Sequence, residues 1–187
     1  MKTKLDNIAK ISIGALISRF SKRYEGPKEE KEVLYYKGKE LYTETEEIAT
    51  DIDDRFLTHK GDIIIRLAEP QFAANVDGEN IAEGIVISSK FAIIKPYRDI
   101  NPEFLATLLN SNIVKNQFNK YSEGSAIKQI KVKDLGRIQL TIPTEDEQND
   151  YVEYIILINK EIELYKKLIA EHEDLLEGVL EKSQGGE

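Results

Sequence analysis

The side chains in this 187-residue chain that could do chemistry are hydrogen-bond donors and cations, not nucleophiles. Arg19, Ser21, Lys22 and Arg23 lie within five positions. Lys115, Lys120, Tyr121, Lys128, Gln129 and Lys131 form a second stretch around a Gly124-Ser125 turn, and Lys90 lies between two apolar runs. An Arg fork or a Gln amide can bond two atoms of a guanine or adenine edge, whereas Lys bonds mainly to phosphate. Such groups read or hold a polyanion. They do not break bonds.

The spacing of the remaining residues shows no catalytic constellation. There is no Cys, which excludes disulfides, thiolate metal sites and a cysteine nucleophile. His59 stands in a Thr-His-Lys-Gly turn with no ligand-type neighbour in sequence, and His172 lies within a helical repeat; neither has metal-ligand spacing. No glycine-rich phosphate loop is present. Asn101-Pro102-Glu103-Phe104 is better read as a helix start than as a methyltransferase motif, because Asn caps well and Pro fits the first helical position. Asp62 precedes a strand, but Ser88-Ser89-Lys90 has Ser where a metal-dependent nuclease needs a second carboxylate. The expectation is therefore no active site, no metal and no cofactor.

The net charge of −8 would argue against a nucleic-acid partner if it were evenly spread. It is not. From residue 142 onward there are 13 acids and 4 bases, while residues 1–141 hold 21 acids and 22 bases. Residues 1–40 alone carry 10 bases against 6 acids. A phosphate backbone feels the charge within a Debye length, about 8–10 Å, and not the total. No apolar run approaches the ~20 residues of a membrane span, and the N-terminus lacks the features of an export signal. A cytoplasmic protein without membrane contact is expected.

The elements that would position these groups can be read in order. Residues 5–17 read as a strand, or as a strand and a turn around Gly14, residues 18–32 as a loop, and residues 33–36 as a short strand. The acidic segment 44–54 reads as a surface loop or short helix. Ile63-Ile64-Ile65 is a buried strand after a Gly61-Asp62 turn; residues 69–80 are a loop; residues 84–87 and 91–94 are strands. A helix opens at Asn101-Pro102, and a second carries Ile113, Val114 and Phe118 on one side. Residues 126–132 and 137–142 read as strands.

The strongest pattern closes the chain. Tyr151, Ile155, Ile158, Ile162, Tyr165, Ile169, His172, Leu176 and Val179 follow alternating steps of four and three, an a/d seam. Pro143 and a Thr144-Glu145-Asp146-Glu147 capping box mark the start of a helix from about Glu145 to about Glu181. Such a seam must bury itself against another helix, so a homodimer is expected. Tyr154, Leu157, Leu164, Leu168 and Leu175 make a second apolar row beside it, available to a further partner. The predicted class is α/β: a small mixed or curled sheet domain with short helices over 1–143, a long coiled-coil helix over 144–182, and a disordered tail over 183–187.

Several segments, in order and spacing, carry a resemblance. They are Gly61-Asp62-Ile63-Ile64; Val86-Ile87-Ser88-Ser89-Lys90-Phe91-Ala92-Ile93-Ile94-Lys95-Pro96; Pro102-Glu103-Phe104-Leu105 with Leu108-Leu109-Asn110-Ser111; Gly124-Ser125-Ala126-Ile127; Leu135; and Ile142-Pro143 followed by Glu147-Gln148. Over residues 60–182 this set resembles the specificity subunits of type I restriction-modification systems. The resemblance implies a target-recognition domain that reads double-stranded DNA and a conserved helix after it. It also implies catalysis by a methyltransferase subunit, with a restriction subunit where one is present. Most members hold the domain–helix unit twice, with the two helices antiparallel. This chain holds one unit, and so looks like a half-subunit that dimerises or like a truncated product. Two other readings stay open: a DNA-reading unit of another restriction class, and a coiled-coil adaptor that binds only protein.

Overall fold

The computed structural model describes residues 2–37, 40–78, 81–122 and 129–185. It divides into two units, Met1–Gln148 and Asn149–Glu187. The first is α/β, and the second is helix.

Among the described residues, three small sheets build the first unit. β2 (Ala9–Ile13), β5 (Ile63–Arg66), β6 (Ala73–Asn75) and β8 (Phe91–Pro96) form an antiparallel sheet in the order β2-β8-β5-β6. β3 (Lys28–Lys37) and β4 (Glu40–Ala49) form a long antiparallel hairpin, and β7 (Val86–Ile87) joins β3 in parallel. β1 (Lys2–Lys4) pairs with β9 (Gln139–Thr141). The sequence alternation explains the core. Leu34 and Ile87 point into one cluster with Ile64, Phe91 and Ile93, while Val33 and Val86 point into another with Ala15, Ile48, Ile52 and Phe56. Ile63, Ile64 and Ile65 are all buried, as the continuous apolar run of a strand covered on both faces requires. Gly14 sits where a Cβ would come within 2.3 Å of the Ser88 carbonyl oxygen, so only glycine lets these backbones meet.

The helices are short except the last. α1 spans Ile17–Phe20, α2 Pro102–Leu109, α3 Asn112–Ser122 and α4 Val132–Leu135. The Asn101 side chain caps α2 by accepting from the Glu103 and Phe104 N–H groups at 3.0 and 3.2 Å. At the other end of α2, the Asn110 amide mimics a strand: it accepts from the Ala73 N–H at 2.8 Å and donates to the Ala73 carbonyl at 2.7 Å. That explains Asn in the Leu108-Leu109-Asn110-Ser111 segment. Asn110→Ala leaves a donor and an acceptor of β6 unpaired, so unfolding in urea should show a loss of roughly 2–4 kcal/mol. An unchanged midpoint would refute that role.

α5 runs Glu145–Gln184, opening at the predicted residue and continuing into positions expected as tail. Thr144 and Glu147 form the capping box: the Thr144 N–H and hydroxyl both donate to Glu147 Oε2 at 2.9 Å, and the Glu147 N–H donates to Thr144 Oγ1 at 3.4 Å. The Thr144 bonds hold the Glu147 carboxyl below its ordinary range. A depressed carboxyl stabilises the fold above its unfolded pKa, and that contribution fades as pH falls through the folded value.

Several local expectations give way. Residues 18–32 are not one loop: they hold most of α1 and the start of β3. The acidic stretch from residue 44 is strand as far as Ala49, followed by a turn and a 3-10 turn at Asp54–Phe56. Cross-strand partners overrode its charge. Lys31 lies opposite Glu46, Tyr35 stacks on Tyr42 with ring centres 5.8 Å apart, and the Tyr35 hydroxyl donates to Glu46. Within 69–80, Ala73–Asn75 is strand because β5 offers it a free edge. Of the strand predicted over 126–132, residues 126–128 lie outside the described residues. Gln129 makes only an isolated bridge to Ala68, and Val132 opens α4. Ile113 does not share the buried face of Val114 and Phe118; it is 71% exposed.

Candidate nucleic-acid interface

Arg19, Lys22 and Arg23 are exposed at and just after α1. Ser21 is half-buried, and its hydroxyl donates to the Ile17 carbonyl at 3.1 Å, which closes the helix. Ser21 and Lys22 line an open depression with Lys28, Glu46 and Glu47. The first basic stretch therefore faces carboxylates of β4, a neighbour that sequence spacing does not reveal.

Lys90 is exposed on the turn between β7 and β8, with its Nζ 6.0 Å from the centre of the Tyr35 ring. Burial first, and then the hydrogen bond to Glu46, push the Tyr35 phenol above its ordinary range, so it stays a neutral donor. Backbone bonds stitch this turn to segments distant in sequence. Ser89 N–H donates to the Ala15 carbonyl at 2.7 Å, Leu67 N–H to the Lys90 carbonyl at 3.1 Å, and Ile130 N–H to the Leu67 carbonyl at 2.9 Å. Lys90 and the exposed Gln129 and Lys131 thus belong to segments joined through residues 67 and 68, and the segment leading into α1 lies on the other side of the same turn. Lys128 lies outside the described residues.

Lys115, Lys120 and Tyr121 are exposed on α3. The two lysines lie five positions apart, about 140° around a helix, so they do not form one stripe. Arg66 is the cation that sequence reading passed over. Its guanidinium lies 4.2 Å from the centre of the Tyr36 ring, and Nη1 donates to the Ala68 and Pro70 carbonyls at 2.8 and 3.0 Å. It sits at the end of β5 opposite Phe91, next to the Lys90 segment. Its signal, an Arg closing an Ile run, means nothing until β5 is paired.

His59 is not isolated, as its sequence neighbours suggested. Its Nε2 lies 3.1 Å from Asp54, its Nδ1 3.2 Å from Lys95 Nζ and 3.5 Å from Asp62. Asp62, only 5% exposed, accepts the His59 N–H at 3.1 Å and lies 3.4 Å from Lys95 Nζ. Gly61 beside it has φ +86°, which glycine tolerates. The cluster closes the turn into β5. Among the described residues no three His, Asp or Glu side chains are grouped to hold a metal, and no helix is long and apolar enough to cross a membrane.

In the second unit, Tyr151, Ile158, Ile162, Tyr165, Ile169, Leu176 and Val179 are all exposed, as is His172, whose Nδ1 bonds the Leu168 carbonyl at 2.8 Å. Ile155 is half-buried. Of the second row, Tyr154, Leu157, Leu164, Leu168 and Leu175 are exposed too. Exposed apolar side chains thus recur along α5 from Tyr151 to Val179.

The contact residues can be separated by assay. If the two stretches touch DNA, Arg23→Ala should relax base choice, whereas Lys120→Ala should weaken all sequences alike and flatten the salt dependence by about one phosphate contact. Target affinity that survives Lys22→Glu with Arg23→Glu would exclude the first stretch.

No family model matches the chain. The Type I restriction enzyme HindI specificity subunit of Haemophilus influenzae is 31% identical over 108 residues, 56% of this chain and 24% of that protein. In fold, the chain is similar over its full length to a chain from a structure of the type I R-M system that addresses complex assembly and conformational transition. The TM-score is 0.67 at 19% identity, and 46% of that chain is covered. The HsdS subunit from Thermoanaerobacter tengcongensis matches over 96% of this chain and 46% of its own length, with a TM-score of 0.67 at 17% identity. The type I S subunit from M. genitalium matches over 100% and 46%, with a TM-score of 0.57 at 16% identity. The chain spans about a quarter of its sequence relative and about half of each solved chain. Sequence and fold together bear out the resemblance to type I specificity subunits, and the α/β unit with a long C-terminal helix is the shared fold.

Proposed function

We propose that this chain is the DNA-recognition component of a type I restriction-modification system, working as a half-subunit with one target-recognition domain, over 1–143, and one dimerisation helix, over 144–182. The observation that supports the reading is the fold likeness of the α/β unit with its long helix to S subunits about twice as long. Two copies would supply what one longer subunit holds. Arg19, Ser21, Lys22, Arg23, Lys90, Lys115, Lys120, Tyr121, Lys128, Gln129 and Lys131 are the residues we assign to DNA contact. The apolar seam would join the copies. The second row would take the methyltransferase, which supplies the chemistry in the cytoplasm, and a restriction subunit could join that complex.

Methylome sequencing of a host that expresses the chain with its methyltransferase tests the reading. Methylation at one defined motif, absent when the chain is absent, is the expected result. Methylation that ignores the chain would reject the DNA-reading role. DNA binding with a steep negative salt slope separates this role from that of a protein-only adaptor.

A further inference from the structure

Arg66 ends β5 where segments that carry other donors meet. Its N–H donates to the Phe72 carbonyl at 2.9 Å, which extends the pairing of β5 with β6 by one rung. The next residue, Leu67, bonds the backbone of Lys90 and of Ile130, and Ala68 bridges Gln129. Lys90, Gln129 and Lys131 therefore belong to segments tied to the same short stretch of chain as Arg66.

The guanidinium is held in one orientation. It lies over the Tyr36 ring at 4.2 Å, and Phe72 packs on Tyr36 with ring centres 5.4 Å apart. Nη1 spends its two hydrogens on the Ala68 and Pro70 carbonyls at 2.8 and 3.0 Å. Among the described residues nothing accepts from Nε or Nη2, and no carboxylate pairs with the charge. Half-burying a cation without an anion costs stability. What that cost leaves is a fork of two N–H groups, fixed by a ring and two carbonyls and still unused.

We propose that Arg66 is a specificity-determining residue that reads a guanine of the DNA target through its Nε and Nη2 edge. The inference rests on the DNA-recognition role proposed above. Guanine presents O6 and N7 side by side in the major groove, the acceptor pair that an Arg fork meets. A phosphate accepts from many directions and is served as well by a mobile Lys. Holding the fork in one direction on the end of a strand favours a base edge.

The test uses the full chain with its methyltransferase and duplexes in which each position of the methylated motif is varied in turn. Arg66→Lys keeps the charge and loses the fork. It should lower the preference for guanine at one position from about tenfold to within about threefold, with the other positions unchanged. Replacing that guanine by 7-deazaguanine removes N7 and leaves base pairing intact. It should weaken binding by the unaltered chain about tenfold and binding by the Lys variant less than about threefold. A guanine preference that survives Arg66→Lys, as a phosphate contact would give, overturns the proposal. So does an equal loss at every position, as a merely structural clasp would give, and so does a motif without guanine. If the Lys variant fails to fold by circular dichroism, 7-deazaguanine scanned through the motif with the unaltered chain and with Tyr36→Leu decides. Sensitivity at a guanine that loss of the stacking ring removes supports the proposal, and any other pattern overturns it. If the unaltered chain directs methylation to no defined motif, the DNA-reading role falls instead.

Discussion

If two copies pair through the α5 seam as proposed, Ile162→Asp should leave the chain monomeric. Ile162 lies near the middle of the seam and is 44% exposed in the single chain, so a twin helix has surface there to cover. Burying one Ile is worth about 1.5–3 kcal/mol, and a two-fold interface buries two. The substitution removes both and places two carboxylates in a dry contact, where desolvation costs several kcal/mol more. A loss of roughly 3–6 kcal/mol from apolar burial alone raises Kd by about two to four powers of ten. Light scattering of the variant at tens of micromolar should give the monomer mass, with Ile162→Leu remaining dimeric as a control. A stable monomer for the unaltered chain at that concentration would reject the homodimer. A dimeric Asp variant would move the interface off this seam.

The methylated target should be an interrupted palindrome. A two-fold dimer with one recognition unit per copy reads one short sequence twice, in inverted orientation. In the antiparallel pairing that the resemblance implies, the two recognition units would lie at opposite ends of a rod of about 60 Å, the length of a 40-residue helix at ~1.5 Å rise. The half-sites then lie at least about one duplex turn apart, roughly 34–36 Å centre to centre. Deleting one heptad from α5 in both copies shortens the rod by about 10 Å and should remove about three base pairs from the preferred spacer, leaving the half-sites intact. An asymmetric bipartite motif in cells that carry only this chain and its methyltransferase would overturn the symmetric arrangement.

How much of this was legible in advance follows from how local each cause is. The start of α5 could be read to the residue because a capping box closes within four positions, and its seam because a helix repeats within seven. The same holds for the Asn101 cap of α2 and for Ile63–Ile65, whose burial follows from composition alone. β4 was misread because its stability comes from partners on β3, among them Tyr35 and Lys31, and nothing in the segment 44–54 announces them.

The sequence by itself determined the class of the chain: an α/β domain followed by one long helix with an apolar stripe along it. Only the tertiary structure decided which polar groups share a surface. It joined Lys90 to the segment of Gln129 and Lys131 through residues 67 and 68. It set Lys22 beside Glu46 and Glu47, and it assigned the amides of Gln148 and Asn110 to backbone groups some 50 and 37 positions away. The physical reason is the same in each case. Side-chain periodicity and caps are energies of neighbouring residues, whereas strand pairing and buried amides draw their energy from contacts that exist only after distant segments have met.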